Sequence, residues 1–567
     1  MAVGGVPAGE IPANWRQATN QVLRIAMPNM GSCALTLLNE QTNVIMLGKS
    51  STSASLAAVG LGNMMQNCLG LSIGWGLLAA LDSLVSQAYG AGNQAVACEQ
   101  FQRGRFIATL QLLWIIPVLC YSAPLLLRLG QHADVAQLAA AYNRTTAPAL
   151  FCLFQYQALA KFLQNQCIAT PPLVINIISS LLHVGWCALF VLHFKLGNSG
   201  AGFANGVTWT CQWLLIALYV TRIAPKLGMK RRDVWLPGQG SFRKWGAYLK
   251  VAIPCVLQMG SEWWFWEICA LLVGFLGTIP LAAHVAANQF IGLTFMPAVG
   301  ISSAAAALVG KMLGANRPQE AKTFVKVSLV VNLVVWLMIS TTMLLGQHAI
   351  AGIYVKPGEV KQLIEGLLII FAFAGLPDTT QHIMSGALRG MGMMTSSSVV
   401  YLLSYYGLML PAGYFLAFHF GLGVKGIWYA SGIGTSVAVM VFSVILAKVS
   451  YSAPISSELS TGWQLTEQLL SDQEGGIEFD DYGGEFGHVV QSILGERNAE
   501  DGSWFWALYV YGSFTQEWLR APQRVDSTDL DTFPHIAWVA FRTAAVDRRE
   551  EEQRVLRILG PKPFKES

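Results

Sequence analysis

Two glutamates stand five residues apart in the apolar stretch VLQMGSEWWFWEICALLVGFLG, residues 256–277, with three tryptophans and a phenylalanine between them. Carboxylates set among aromatic rings attract organic cations, through charge and through cation–π contact. They also take up and release protons and can coordinate sodium. The stretch is long and apolar enough to cross a bilayer. A charged side chain at mid-bilayer costs about 2.5–3.5 kcal/mol on insertion scales, so it is expected to face a cavity or a partner. Position 262 falls roughly 24 Å along a helix that begins near Gly246, at 1.5 Å per residue. That depth argues against the alternative of an interfacial tryptophan belt with headgroup-level acids. Five residues turn a helix by about 500°, which leaves Glu262 and Glu267 about 140° apart. One is expected to face a central cavity and the other the interior of its own half. Trp263 lies four residues before Glu267 and shares its face, which sets an aromatic wall beside a carboxylate.

Asp378 follows Pro377 in AGLPDTTQHIMSGALRG. A proline frees a backbone carbonyl and can act as a hinge. Glu262, Glu267 and Asp378 are therefore the candidate ion-coupling residues, and Pro377 the candidate hinge. Asp82, in AALDSLVSQAYGAG, is read as hydrated at a helix end. Glu40, in LLNEQTNVIMLG, is open between the cavity and the outer surface.

These residues need a membrane-spanning scaffold, and the composition supplies one. The 567 residues are 53% hydrophobic and only 12% charged, about half the charge of a soluble protein. Twelve of the 32 acids precede residue 451 and twenty follow it, so a basic, apolar region precedes an acidic tail. Twelve apolar runs are expected to span: 22–47, 54–86, 105–127, 136–163, 171–193, 200–223, 246–276, 281–312, 324–346, 360–388, 395–418 and 423–449. Basic residues concentrate in the even-numbered breaks, above all Lys226, Lys230, Arg231, Arg232, Arg243 and Lys244. The positive-inside rule then places both termini in the cytoplasm. The ten cysteines, Cys33 to Cys269, show no CxxC spacing, which argues for packing rather than zinc or disulfides. The sequon at Asn143 falls in a helix and is expected to be unmodified.

A repeat organises the spans. RIAMP (Arg24–Pro28) matches KVAIP (Lys250–Pro254), and YGAGN (Tyr89–Asn93) answers LGAN (Leu313–Asn316). KFLQNQ (Lys161–Gln166) aligns with ALRGMG (Ala387–Gly392), and HFKLG (His193–Gly197) with HFGLG (His419–Gly423). Each pair is about 225 residues apart, which is an internal duplication. The expected fold is an all-α polytopic membrane protein with 12 transmembrane helices in two homologous six-helix lobes. An even number of spans per lobe makes the repeat parallel, an arrangement suited to rocking. The expected boundaries are a cytoplasmic N-terminal segment at 1–21, an N-lobe at 22–224, a cytoplasmic linker at 225–245, a C-lobe at 246–450 and a cytoplasmic extension at 451–567. The extension is expected to be α+β, with strands near Tyr509–Tyr511 and a terminal helix in VDRREEEQRVLRIL.

The repeat, GWGLLAALDSLVSQAYGAGN (Gly74–Asn93), EWWFWE (Glu262–Glu267), KFLQNQCIATP and ALRGMG together resemble the multidrug and toxic compound extrusion (MATE) transporters, eukaryotic branch, over about residues 15–450. The resemblance implies that both glutamates of EWWFWE take part in transport, and it places Asp378 where the family carries an acid. It also marks Asn67 as a first-lobe polar position. Gln289 stands where some animal members carry a third acid, and Asn43 where many bacterial members carry an aspartate. That puts the weight of coupling on the second lobe. The expected substrate-binding set is Trp263, Glu262, Asn67, Gln289 and Asn43. In the tail, YGGEFGHVVQSILG with WFWALYVYG is weakly similar to the small β-domain of cobalamin carriers.

The function expected is efflux of small organic cations by a monomer, in exchange for a proton or sodium, with no other cofactor and no nucleic acid. The membrane is the plasma membrane or an endomembrane such as a vacuole. A transporter-derived sensor with the tail as output domain and a lipid-linked-sugar flippase remain open. An enzyme is disfavoured, because the chain has no HExxH or GxSxG motif and no acid pair at catalytic spacing on one helix face.

Overall fold

The computed structural model describes residues 15–50, 53–227, 230–236, 239–354 and 358–449, together with strand residues 477–480, 489–493, 496–497, 504–512, 517–520 and 535–542. The chain divides into two compact units, Met1–Ala453 and Pro454–Ser567.

The first unit is helical. Its first half comprises α1 (Trp15–Ser50), α2 (Ala54–Gly90), α3 (Gln94–Cys120, continued past Tyr121 by Ser122–Arg128), α4 (residues 133–165), α5 (Thr170–His193) and α6 (Gly197–Leu227). After the linker come α7 (Trp245–Gly274), α8 (Thr278–Gly314), α9 (Pro318–Tyr354), α10 (Glu359–Gly390), α11 (Met394–His419) and α12 (Val424–Lys448). Helices run past the apolar stretches of the sequence because polar side chains also carry helix at the bundle ends. α1 begins at Trp15, seven residues before the apolar run does. Pro28, Pro254, Pro297 and Pro377 sit inside helices, which packed membrane bundles tolerate because neighbouring groups satisfy the freed carbonyls.

Among the described residues, nine helices are long and apolar enough to cross a membrane. The chemistry of two of the other three, α7 and α4, explains why they fall short. α7 carries Lys250, Glu262 and Glu267, and α4 is divided at Pro148 into helices of 14 and 16 residues. The outer surface is apolar: Leu345, Phe275, Leu113 and Leu181 are all more than 70% exposed. In water such a belt would drive aggregation; against lipid it needs no cover.

The two halves meet along two seams, α1 against α8 and α2 against α7 and α8. At the linker end the second seam is closed by glycines. The face of Gly90 lies on the Lys311 carbonyl, and that of Gly314 on the Gln87 carbonyl, so a Cβ at either site would strike backbone. Both glycines come from the repeated YGAGN and LGAN motifs, so the contact is reciprocal. Gln87 Nε2 also donates to the Gly390 carbonyl at 2.8 Å.

Arg103 and Arg105 lie within α3 and are buried. Arg103 Nε donates to the Arg243 carbonyl at 2.8 Å. Arg105 donates to the Val234 and Trp235 carbonyls at 2.8 and 2.9 Å. The two guanidinium groups thereby fasten the linker to the first half.

The second unit contains two antiparallel three-stranded sheets. One has the order β1 (Ile477–Asp480), β2 (Val489–Ile493), β3 (Glu496–Arg497). In the other, β4 (Trp504–Gly512) pairs with β5 (Glu517–Arg520) and with β6 (His535–Arg542). The expected strand at Tyr509–Tyr511 falls in β4. The expected terminal helix lies outside the described residues.

The glycine seam predicts a position-specific stability effect. Gly314→Leu should lower the Tm of the purified protein by several degrees, since overpacking costs about 1–3 kcal/mol. Gly185→Leu, on an exposed face with no atom nearby, should leave it within a degree in the same thermal-shift assay.

Candidate functional site

A cavity of about 460 Å³ lies between the two halves. α7 gives it a broad wall, Met259, Glu262, Trp263, Trp266 and Glu267. On a helix these positions cover a face about 140° wide, with the two glutamates as its edges. Both therefore reach the same space. The expectation that one would turn to the lobe interior differs from this, because α7 stands at the cavity margin rather than in a packed layer. Trp263 meets Trp75 of α2 edge-on, with centroids 5.3 Å apart. Trp264, outside the cavity wall, donates to the Cys68 carbonyl at 3.1 Å.

The opposite wall of the second half is α10. Asp378, His382, Ser385 and Arg389 fall at i, i+4, i+7 and i+11 and so share one face. Asp378 Oδ1 accepts from Gln381 Nε2 at 3.0 Å, and the same amide donates to the Tyr405 hydroxyl at 3.0 Å. Tyr405 stacks on Tyr401 with centroids 5.4 Å apart. Glu262, 13% exposed, has its Oε2 3.9 Å from His382 Nδ1. Beneath this pair, Gln258 Nε2 donates to Ser385 Oγ at 2.5 Å and Ser397 Oγ donates to Gln258 Oε1 at 3.1 Å. A neutral hydrogen bond from Gln381 holds Asp378, while Glu262 has the His382 imidazole as its nearest base.

At the linker end the cavity floor is charged. Asp82, read from the sequence as a hydrated helix end, is 2% exposed. Lys161 Nζ bridges its oxygens at 2.9 and 3.0 Å, Asn165 Nδ2 donates at 3.3 Å, and Arg389 Nε lies 3.5 Å away across the seam. Arg389 also donates to Ser302 Oγ at 2.9 Å.

Of the residues expected at the site, Glu262, Glu267, Asp378, Trp263 and Asn67 line the cavity, as does Glu40. Asn43 does not. It is fully buried within the first half, donating to Asn205 Oδ1 at 2.8 Å and accepting from the Cys187 thiol. Gln289 is also absent from the lining; it accepts from Gln41 across the α1–α8 seam at 2.6 Å, and Asn288 faces the cavity instead. Pro377 sits within α10, which is helical from Glu359 to Gly390. Asn143 is buried and accepts from Gln66 at 2.9 Å. Sequence reasoning missed His382, Lys161 and Arg389. The i, i+4 spacing of Asp378 and His382 was the available signal for the first. Among the described residues, no three His, Cys, Asp or Glu side chains gather as a metal-binding group.

The MatE family model matches the chain twice, over residues 28–189 and 254–415, once in each half. The chain is 28% identical over 469 residues to the multidrug and toxin extrusion protein 1 of Danio rerio, covering 82% of this chain and 78% of that protein. It is 29% identical to DETOXIFICATION 16 of Arabidopsis thaliana, over 70% of this chain and 81% of that one. The crystal structure of the eukaryotic MATE transporter AtDTX14 superposes with a TM-score of 0.72 at 22% identity, covering 77% of this chain and 97% of that one.

Cysteine accessibility follows from the lining. Cys33 and Cys68 face the cavity, whereas Cys187, Cys255 and Cys269 are buried. A small methanethiosulfonate reagent should modify the first two at least tenfold faster than the last three, read by peptide mass spectrometry.

Proposed function

The chain belongs to the MatE family of membrane transporters, and from that premise we propose that it exports organic cations in exchange for an inward-moving cation, a proton in the first instance. The observation that carries this reading is the convergence of Glu40, Glu262, Glu267 and Asp378 with Trp75 and Trp263 on one cavity between two homologous halves. Four acids besides the Lys161-paired Asp82, with an aromatic wall, suit a flat cation. The names of the relatives, extrusion proteins for drugs and toxins, agree with that chemistry.

In this reading the twelve helices are two lobes that rock about the cavity, and the basic linker end is cytoplasmic. Glu262 and Asp378 carry the coupling ion. Protonation of these carboxylates weakens the hold on a bound cation. A bound cation in turn opposes protonation, so the two ligands exchange rather than travel together. Glu267, Trp263 and Asn67 shape the substrate wall. Sodium in place of the proton would use the same oxygens.

Uptake of a fluorescent organic cation into proteoliposomes tests the assignment. An imposed pH gradient should drive accumulation, and the Glu262→Gln, Asp378→Asn double variant should lose at least tenfold of the initial rate while equally abundant in the membrane. Persistence of gradient-driven uptake in that variant would overturn the residue roles. Uptake driven by a sodium gradient alone would replace the proton.

A further inference from the structure

The linker between the two halves concentrates charge. Residues 222–250 hold eight basic side chains and one acid. Lys226, Lys230, Arg231 and Arg243 are exposed, and among the described residues none of the four is held in an ion pair. Like charges gathered on one short segment repel one another unless an anionic surface takes up their field. Two large apolar side chains stand among them in the sequence: Leu236 is 59% exposed and Phe242 57%.

The segment is pinned, and at a definite depth. Arg103 and Arg105 donate to the Arg243, Val234 and Trp235 carbonyls, so the backbone beside both apolar residues is fixed on the first half. The Phe242 ring meets Phe106 of α3 with centroids 4.8 Å apart, and Phe106 meets Trp245 at 5.7 Å. The Trp235 ring meets Trp213 of α6 at 6.1 Å. Phe106 lies twelve residues into α3, about 18 Å along it, where the apolar run of that helix begins. The linker therefore folds back along the helices, which brings Leu236 and Phe242 to the height at which lipid-facing surface starts. Exposed apolar anchors among lysines and arginines suit the boundary between acyl chains and headgroups, and basic clusters next to a spanning helix attract anionic lipid. Orientation during insertion needs the charge alone; a pinned backbone and outward apolar side chains go beyond that need.

We propose that the linker is a binding surface for anionic phospholipid, with Leu236 and Phe242 among the first acyl methylenes and Lys226, Lys230, Arg231 and Arg243 on the headgroup phosphates. Charge complementarity and the apolar anchors together select this occupant. The cations match phosphate oxygens, and the anchors match acyl chains, which a free phosphate or an acidic peptide lacks. The surface is independent of the transported substrate and of the coupling ion, and it serves whichever leaflet the linker faces. Because Arg103 and Arg105 tie it to the first half, bound lipid holds that half, and its connection to the second, at one depth in the bilayer.

The test titrates purified full-length protein in a non-ionic detergent with phosphatidylglycerol or with phosphatidylcholine of the same chains, and counts retained lipid by native mass spectrometry. Phosphatidylglycerol should bind at least tenfold more tightly, and added salt should weaken it severalfold. The combined Lys226→Gln, Lys230→Gln, Arg231→Gln, Arg243→Gln variant should lose at least tenfold of that affinity, with phosphatidylcholine unchanged within twofold. Leu236→Ser with Phe242→Ser should cost severalfold. Arg128→Gln with Lys425→Gln, at the other end of the bundle, should leave binding within twofold. Glycerol phosphate and a hexaglutamate peptide, at matched concentration, should displace little of the lipid. Equal affinity for the two lipids, or losses as large in the distant pair as in the linker variants, would overturn the proposal. Displacement by glycerol phosphate or by the peptide as effective as by unlabelled lipid would overturn it too, by showing an anion patch with no use for acyl chains. The salt and displacement measurements use the unmodified protein, so they decide the matter even where a variant fails to fold.

Discussion

A carboxylate held between membrane helices is stable only while something takes up its charge or its proton. In this chain the two solutions occur one above the other in a single cavity. Asp82 is compensated permanently, by Lys161 and by Arg389 from the other half. Glu262 is not; the nearest base to it is an imidazole nitrogen 3.9 Å away, with the Asp378 carboxylate and the Arg389 guanidinium further off. The difference separates an ion-paired acid from the one the proposed exchange uses. The first ties the halves together at the linker end. In the exchange proposed above, the second is the one left to a ligand or a proton.

The surrounding architecture serves that contrast. Glycines at equivalent places in the two halves let α2 and α8 approach backbone to backbone, which closes the floor. The arginines of α3 hold the linker against the first half, so the connection between halves is anchored rather than loose. Neutral networks of serines, glutamines and tyrosines fill the space between α7, α10 and α11. They give the walls hydrogen bonds mostly between uncharged side chains, with Arg389 reaching Ser385 Oγ at 3.4 Å.

Much of this was legible in the sequence. The duplication and the helical class follow from periodicity and repeat spacing, and an inward-facing carboxylate on α7 beside Trp263 follows from the cost of a buried acid, whereas Asn67 was marked only by the family resemblance. Contacts that cross between distant helices were not legible. Asp82 looked like a helix-end residue because nothing local announces that Lys161 and Arg389 converge on it from 79 and 307 positions away. Asn43 and Gln289 were expected at the cavity by correspondence with acids of relatives. An amide in place of an acid can be absorbed by a neighbouring amide, as Asn43 is by Asn205 and Gln289 by Gln41. The split of Glu262 and Glu267 failed for a simpler reason: an angle of 140° does not separate two side chains when the helix itself stands at the edge of the space.

In the proposed exchange, an organic cation and a proton compete for the same carboxylates. Calorimetry of cation binding to the purified protein in buffers of different ionisation enthalpy measures it directly. Competition requires that binding release protons, so the observed enthalpy should vary linearly with buffer ionisation enthalpy, and the slope should fall to zero in Glu262→Gln, Asp378→Asn. A binding enthalpy independent of the buffer in the unmodified protein, over the whole pH range in which the carboxylates titrate, would contradict it.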